Sequence, residues 1–219
     1  MVGLQELMGQ EIYDLLYKHY DKDGLLIEDM DDVFYCEDDE IDKDRIPKLE
    51  ALLTPITDAK SSLVPLEAAK LLAAWGDEKA IDYFEYCIDA RIDRLGNLDP
   101  HRLHGNYDIT YEDFSNGLLH YYARRVDLSP KKRNQTREKI FPPMKKMLAL
   151  SRELIFDMEH IINDIKEESL YEYLPILKNC YLDFINRSEN DLNRQWNLPS
   201  LEELLKDWEP EFLRQQNPE

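Results

Sequence analysis

The side chains best placed for chemistry or recognition lie in one acid-dense stretch, with twelve carboxylates between Asp21 and Asp44. Asp38-Asp39-Glu40-Ile41-Asp42 has the spacing that puts carboxylates on one helix face, where they could hold a magnesium diphosphate. Glu37 and Glu40, three apart and with Asp29 or Asp32 nearby, could serve a magnesium-dependent helical phosphohydrolase. Asp21, Asp23 and Gly24 match the third, fifth and sixth positions of a calcium loop, and Leu26 suits the eighth. The first position is then His19 and the twelfth Met30, so the bidentate carboxylate that closes such a site is missing. His101 and His104, flanked by Asp99 and Asp108, could share a metal, but no further ligands are indicated. No Gly-x-Ser-x-Gly turn, phosphate loop or Gly-x-Gly-x-x-Gly occurs. Cys36, Cys87 and Cys180 are odd in number and far apart, without metal or disulfide spacing. The chain therefore reads as a non-enzyme with no cofactor and no resident metal.

Charge points towards binding. With 46 acidic against 27 basic residues, the formal net charge is -19. A phosphate backbone would be repelled, which argues against direct nucleic-acid binding and for a basic protein partner, or merely for solubility. Within the acid-dense stretch, Asp29, Asp31, Asp32, Glu37, Asp38, Asp39, Glu40 and Asp42 interleave with Phe34 and Tyr35. Aromatic side chains supply buried anchors and surrounding acids steer a basic partner, so these ten residues are the candidate interface. Glu112 and Asp113, in the first turn of a later helix, are added to it. One cluster has the opposite sign: Lys131, Lys132, Arg133, Arg137, Lys139, Lys145 and Lys146. It could dock on an acidic surface, although the solvated face of two helix ends explains it as well.

The elements that must position these residues are helical. Gly is scarce at 7 residues, and β-branched runs are absent. Ser62 to Ala90 organises the chain. Val64, Ala68, Leu71, Leu72 and Trp75 recur at helical spacing, Gly76 suits a left-handed C-cap, and Asp77 can N-cap the next helix, which carries Ile81, Phe84 and Ile88. The short link makes the pair antiparallel. Other expected helices are residues 3–20, Pro47 to Leu53, one starting at Thr110 with Asp113 as its capping box, one beginning at Pro142-Pro143 and continuing to Ile165, one from Leu170 to Ile185, and one from Ser200 to Trp208. Residues 91–109 read as a long loop. A single all-α domain over residues 1–219 is expected, with an acidic part at 1–60, a central hairpin at 62–90 and further helices at 110–208. The first residues, MVGLQELMGQEIYD, lack a basic segment followed by a long apolar one, and no run is long enough for a membrane span. A cytoplasmic location is expected.

The stretch PLEAAKLLAAWGDEKAIDYF resembles a HEAT-like repeat, with small Ala residues in the first helix, a Leu-rich end, a Gly-Asp turn and an apolar second helix. The resemblance covers about one repeat and implies either an α-solenoid of antiparallel hairpins or an irregular helical bundle. A small, strongly acidic helical protein of this kind is similar to the immunity proteins of bacterial toxin systems, including contact-dependent inhibition. That resemblance rests on size, acidity and the helical repeat. It implies an inhibitor that covers the active site of a basic nuclease toxin. A generic HEAT-like adaptor and a magnesium-dependent all-α nucleotide phosphohydrolase are the alternatives.

Overall fold

The computed structural model describes residues 3–27, 31–96, 103–104 and 107–216. The fold is all-α, as the composition implies. The chain divides into two compact units, residues 1–143 and 144–219.

In the first unit, the single helix expected over residues 3–20 is two helices and a strand. Helix α1 (Leu4–Met8) ends at Gly9, whose φ of +82° is a conformation that glycine adopts without strain. Helix α2 (Gln10–Tyr17) follows. His19–Tyr20 (β1) then pairs antiparallel with Leu26–Ile27 (β2), with Tyr20 opposite Leu26. The turn between them is held by Asp21, whose Oδ1 accepts from the backbone N–H groups of Asp23 and Leu25 at 2.9 and 2.8 Å. This carboxylate, which matches the third position of a calcium loop, is used to make the turn. Helix α3 (Asp32–Tyr35) and helix α4 (Ile46–Glu50) come next, α4 with Pro47 in its first turn, where a missing N–H costs little.

Helix α5 (Leu63–Ala74) and helix α6 (Glu78–Asp89) form the expected hairpin. Gly76, at φ +78°, donates to the carbonyl of Ala73, and Asp77 donates to that of Leu72, each at 2.9 Å. These two bonds make a Schellman termination of α5. The Asp77 side chain then accepts from the Lys79 N–H at 2.8 Å and caps α6. Helix α5 buries more than the one stripe read from its spacing. Only Val64 and Lys70 escape full burial, so it is the core helix of the unit. It packs against α2, α3, α4, α6 and also α7 (Thr110–Leu128). Between α6 and α7 come two short antiparallel strands, Leu103–His104 (β3) and Tyr107–Asp108 (β4). The α7 cap differs from the expected box of Thr110 and Asp113. Thr110 is the first helical residue, and its N–H and hydroxyl both donate to Asp108 Oδ1, at 2.8 and 2.5 Å. Gly117 of α7 lies against Phe84, and an added Cβ would sit 2.7 Å from the ring.

Helix α8 (Arg133–Leu150) contains Pro142 and Pro143 in its interior, where a break was expected. Its apolar stripe, Ile140, Met144, Met147 and Leu148, is buried on both sides of the prolines. That burial offsets a proline cost of about 3 kcal/mol each. The boundary between the units falls within this helix.

The second unit holds α9 (Glu159–Glu167), α10 (Leu174–Ile185), α11 (Leu192–Trp208) and α12 (Pro210–Gln216). The long helix expected up to Ile165 is interrupted, because residues 151–158 leave the helical path before α9. Two asparagines of α11 hold that segment. Asn193 Nδ2 donates to the carbonyls of Ser151 and Leu154 at 2.7 and 2.6 Å, and its Oδ1 accepts from Phe156 N at 2.9 Å. Asn197 accepts from Met158 N at 2.7 Å and donates to Phe156 O at 2.8 Å. Helix α11 itself starts earlier than the expected Ser200. Asp191 caps it by accepting from Arg194 N at 3.0 Å, and the helix runs through Pro199. Pro175 lies in the first turn of α10, as expected. No described helix is long and apolar enough to cross a membrane.

Candidate protein-binding surface

The acidic segment is built onto the first unit by two buried side chains. Arg45 reaches across to the end of α2. Its guanidinium donates to the carbonyls of Leu15 at 2.6 Å, Leu16 at 3.2 Å and Lys18 at 2.9 Å. These are the carbonyls that a helix C-terminus leaves without intrahelical partners, and a cation there also complements the helix dipole. Arg45 lies over the Trp75 ring at 5.0 Å, and Trp75 Nε1 donates to the carbonyl of Val33 in α3 at 2.8 Å. Burial pulls the Arg45 guanidinium down from its ordinary value, and Asp42 opposes that effect. Cys36 is buried in the same layer. Burial pushes its thiol up, while Arg124 acts against the rise.

On this base, residues 37–45 form successive turns rather than a helix. Asp38, Asp39 and Asp42 therefore lack the common helix face that a diphosphate motif needs. Glu40 folds back so that its Oε2 accepts from the Glu37 N–H at 3.0 Å, which separates it in role from Glu37. Among the described residues, no group of three or more His, Cys, Asp or Glu side chains gathers to hold a metal. Asp29, Asp99 and His101 lie outside the described residues.

The interface residues that are described divide by exposure. Asp31, Asp32, Tyr35, Glu37, Asp39 and Asp42 face solvent, and Phe34, Asp38 and Glu40 are half-buried. Tyr35 is 69% exposed, and its ring meets His120 of α7 edge-on with centroids 5.7 Å apart. Asp32, Glu37, Asp38 and Asp39 form no salt bridge with a described residue. Several carboxylates elsewhere in this unit are paired. Lys79 binds Glu50 at 2.5 Å, Lys139 binds Glu78 at 3.0 Å and Asp82 at 2.5 Å, and Arg91 binds Asp93 at 3.0 Å. Burial alone would raise the Asp93 carboxyl, but Arg91 and the Tyr111 hydroxyl more than offset it and hold the group below the usual carboxylate range.

Glu112 and Asp113 belong to a different setting. Both are half-buried, and Asp113 pairs with Lys70 at 3.6 Å. Lys70 also binds Glu67 at 3.1 Å, and buried Glu67 accepts from the Tyr17 hydroxyl at 2.7 Å. Asp113 thus ends a polar chain that ties α2, α5 and α7 together. Of the basic cluster, Lys131, Lys132 and Arg133 are exposed, whereas Lys139 is used within the unit as described above.

Sequence reasoning did not include the β1–β2 hairpin in this surface. A cleft of about 300 Å³ joins the two, lined by Asp14, Lys18, Tyr20, Glu40, Asp42 and Arg45. The signal was present in LLI after Gly24, an apolar run inside the acidic stretch, but its exposure could not be read from spacing. The three cysteines are buried and free, and burial pushes the Cys87 and Cys180 thiols up to about 12 and about 11. Comparison with known families, characterised proteins and solved structures gave no match.

Proposed function

We propose that this chain is a protein-binding inhibitor of the immunity type, which neutralises a basic bacterial nuclease toxin in the cytoplasm by occluding its active site. The observation that carries this reading is the solvent-facing acidic platform. Asp32, Glu37, Asp38 and Asp39 form no salt bridge with a described residue, while Lys70, Lys79, Arg91 and Lys139 of the same unit bind acids outside the platform. Such a platform, fixed by Arg45 and Trp75, presents negative charge at set positions, as a nucleic-acid backbone does. Toxin lysines and arginines that bind phosphate would bind it in place of substrate. Helix α5, buried between α6 and α7 in the manner of a HEAT-like repeat, supplies the stiff support. Phosphohydrolase chemistry has less support, because the helix face that Glu37 and Glu40 were expected to share is not formed.

The test is a pull-down from the native host with the full chain as bait, washed at low and then at high salt. A single basic nuclease domain should be recovered in equal amount, and adding the chain should stop its nuclease activity. Asp→Asn changes at Asp31, Asp32, Asp38 and Asp39 together should weaken binding and flatten its salt dependence. Affinity and salt dependence both unchanged in that variant would sink the reading.

A further inference from the structure

Helix α8 is shared by the two units, whose boundary lies between Pro143 and Met144. Each half of the helix is tied to its own unit. In the first half, Lys139 pairs with Glu78 and Asp82 of α6 at 3.0 and 2.5 Å, and Ile140 is buried. In the second half, Met144, Met147 and Leu148 are buried. The carbonyl of Leu148 accepts from Cys180 Sγ of α10 at 3.4 Å. Ser151, which follows the helix, is held at its carbonyl by Asn193 of α11 at 2.7 Å.

Pro142 and Pro143 sit at that boundary. Neither has an N–H, so the carbonyls of Glu138 and Lys139 lose the donors four residues on. Two consecutive bonds are thus missing out of about four in one helical turn. A residue ahead of a proline is also biased away from the helical conformation, and this applies to Phe141 and Pro142 in succession. Helical order spreads because each new bond is built on the one before it. The break falls where that succession would carry order from one unit into the other. Pro199 differs, because it lies inside α11 with both sides in the second unit. We propose that the proline pair is a joint that uncouples the units thermodynamically. Each half of α8 opens and closes with its own unit, and either unit can open while the other stays formed. The acidic segment lies wholly in the first unit, so it is retained when the second opens.

The test is native-state hydrogen exchange of the full chain, read by amide NMR at rising sub-denaturing urea. Amides of residues 137–141 should follow the urea dependence of α6 and α7, and those of residues 147–150 the dependence of α10 and α11. The first unit is the larger and exposes more surface on opening, so its slope should be the steeper. One shared dependence for the two halves of α8 overturns the inference without any variant. Two substitutions then load one unit at a time. Asn197→Ala removes bonds made within the second unit. It should speed exchange at 147–150 by about tenfold or more and change 137–141 by less than about twofold. Gly117→Ala sets a methyl against Phe84 in the first unit and should do the reverse. On a P142A/P143A background, either change should speed exchange in both halves. The inference fails if either change moves both halves while the prolines are present. It fails equally if the halves stay independent on the P142A/P143A background, because the separation then does not reside in the prolines.

Discussion

Arg45 connects sequence to surface more directly than any other residue. Its planar fork reaches the carbonyls of Leu15, Leu16 and Lys18 at once while its face lies on Trp75. A lysine has one ammonium and cannot match that geometry. Arg45→Ala should lower stability by about 2–4 kcal/mol, through lost charge-assisted bonds and buried carbonyls left without partners. Arg45→Lys should recover only a minor part of that. The specific readout is hydrogen exchange, where amides of residues 31–44 should exchange faster in both variants. Unchanged protection there would mean that Arg45 stabilises the unit without holding the acidic segment. Its partners could not be read from the sequence, because they are backbone atoms of a helix some thirty residues earlier. What could be read at this scale was local: the Gly76-Asp77 junction, where the C-cap and the N-cap lie within a few residues of their targets.

At the scale of elements, local rules worked where the satisfying partners are local. The α5–α6 hairpin follows from apolar spacing, a glycine and an aspartate. The same rules misplaced the helices around Pro142, Pro143 and Pro199, because they treat proline as a terminator and do not count the burial that a stripe on both sides supplies. They also carried a helix through residues 151–158, because the apolar spacing of Leu154, Ile155 and Met158 continues. The actual path is fixed by Asn193 and Asn197, both buried, whose amides take over the backbone bonding of a segment far away in sequence. Asn197→Ala should therefore remove the partners of Met158 N and Phe156 O together. The expected loss is about 2–4 kcal/mol in denaturant unfolding of the second unit. A loss below about 1 kcal/mol would show that water or a shifted backbone replaces the side chain. The candidate surface divides in the same way. Its acids were legible because charge is a composition signal, whereas the exposure of Leu25 and Leu26 and the inward pairing of Asp113 depend on tertiary contacts.

For the whole molecule, the uneven distribution of charge has a thermodynamic consequence that separates a binding surface from an ordinary solvated face. Between Asp31 and Asp44 eight carboxylates face a single lysine, while Lys70, Lys79, Arg91 and Lys139 elsewhere in the unit are engaged in pairs. Like charges held close on a fixed base repel one another, so the platform destabilises the unit that carries it. Changing Asp31, Asp32, Asp38 and Asp39 together to Asn keeps side-chain shape and removes that repulsion. Thermal unfolding at low ionic strength should then rise by about 2–4 °C, equivalent to roughly 1 kcal/mol for a chain of this size. The gain should shrink in high salt, where the screening length falls to about 3 Å at 1 M. The same variant should bind its basic partner more weakly. Opposite signs in stability and binding are the mark of a surface kept for recognition at some expense to the fold. A fall in unfolding temperature would instead show that these carboxylates hold local structure, and the weakened binding would then follow from a disturbed platform rather than from lost charge complementarity.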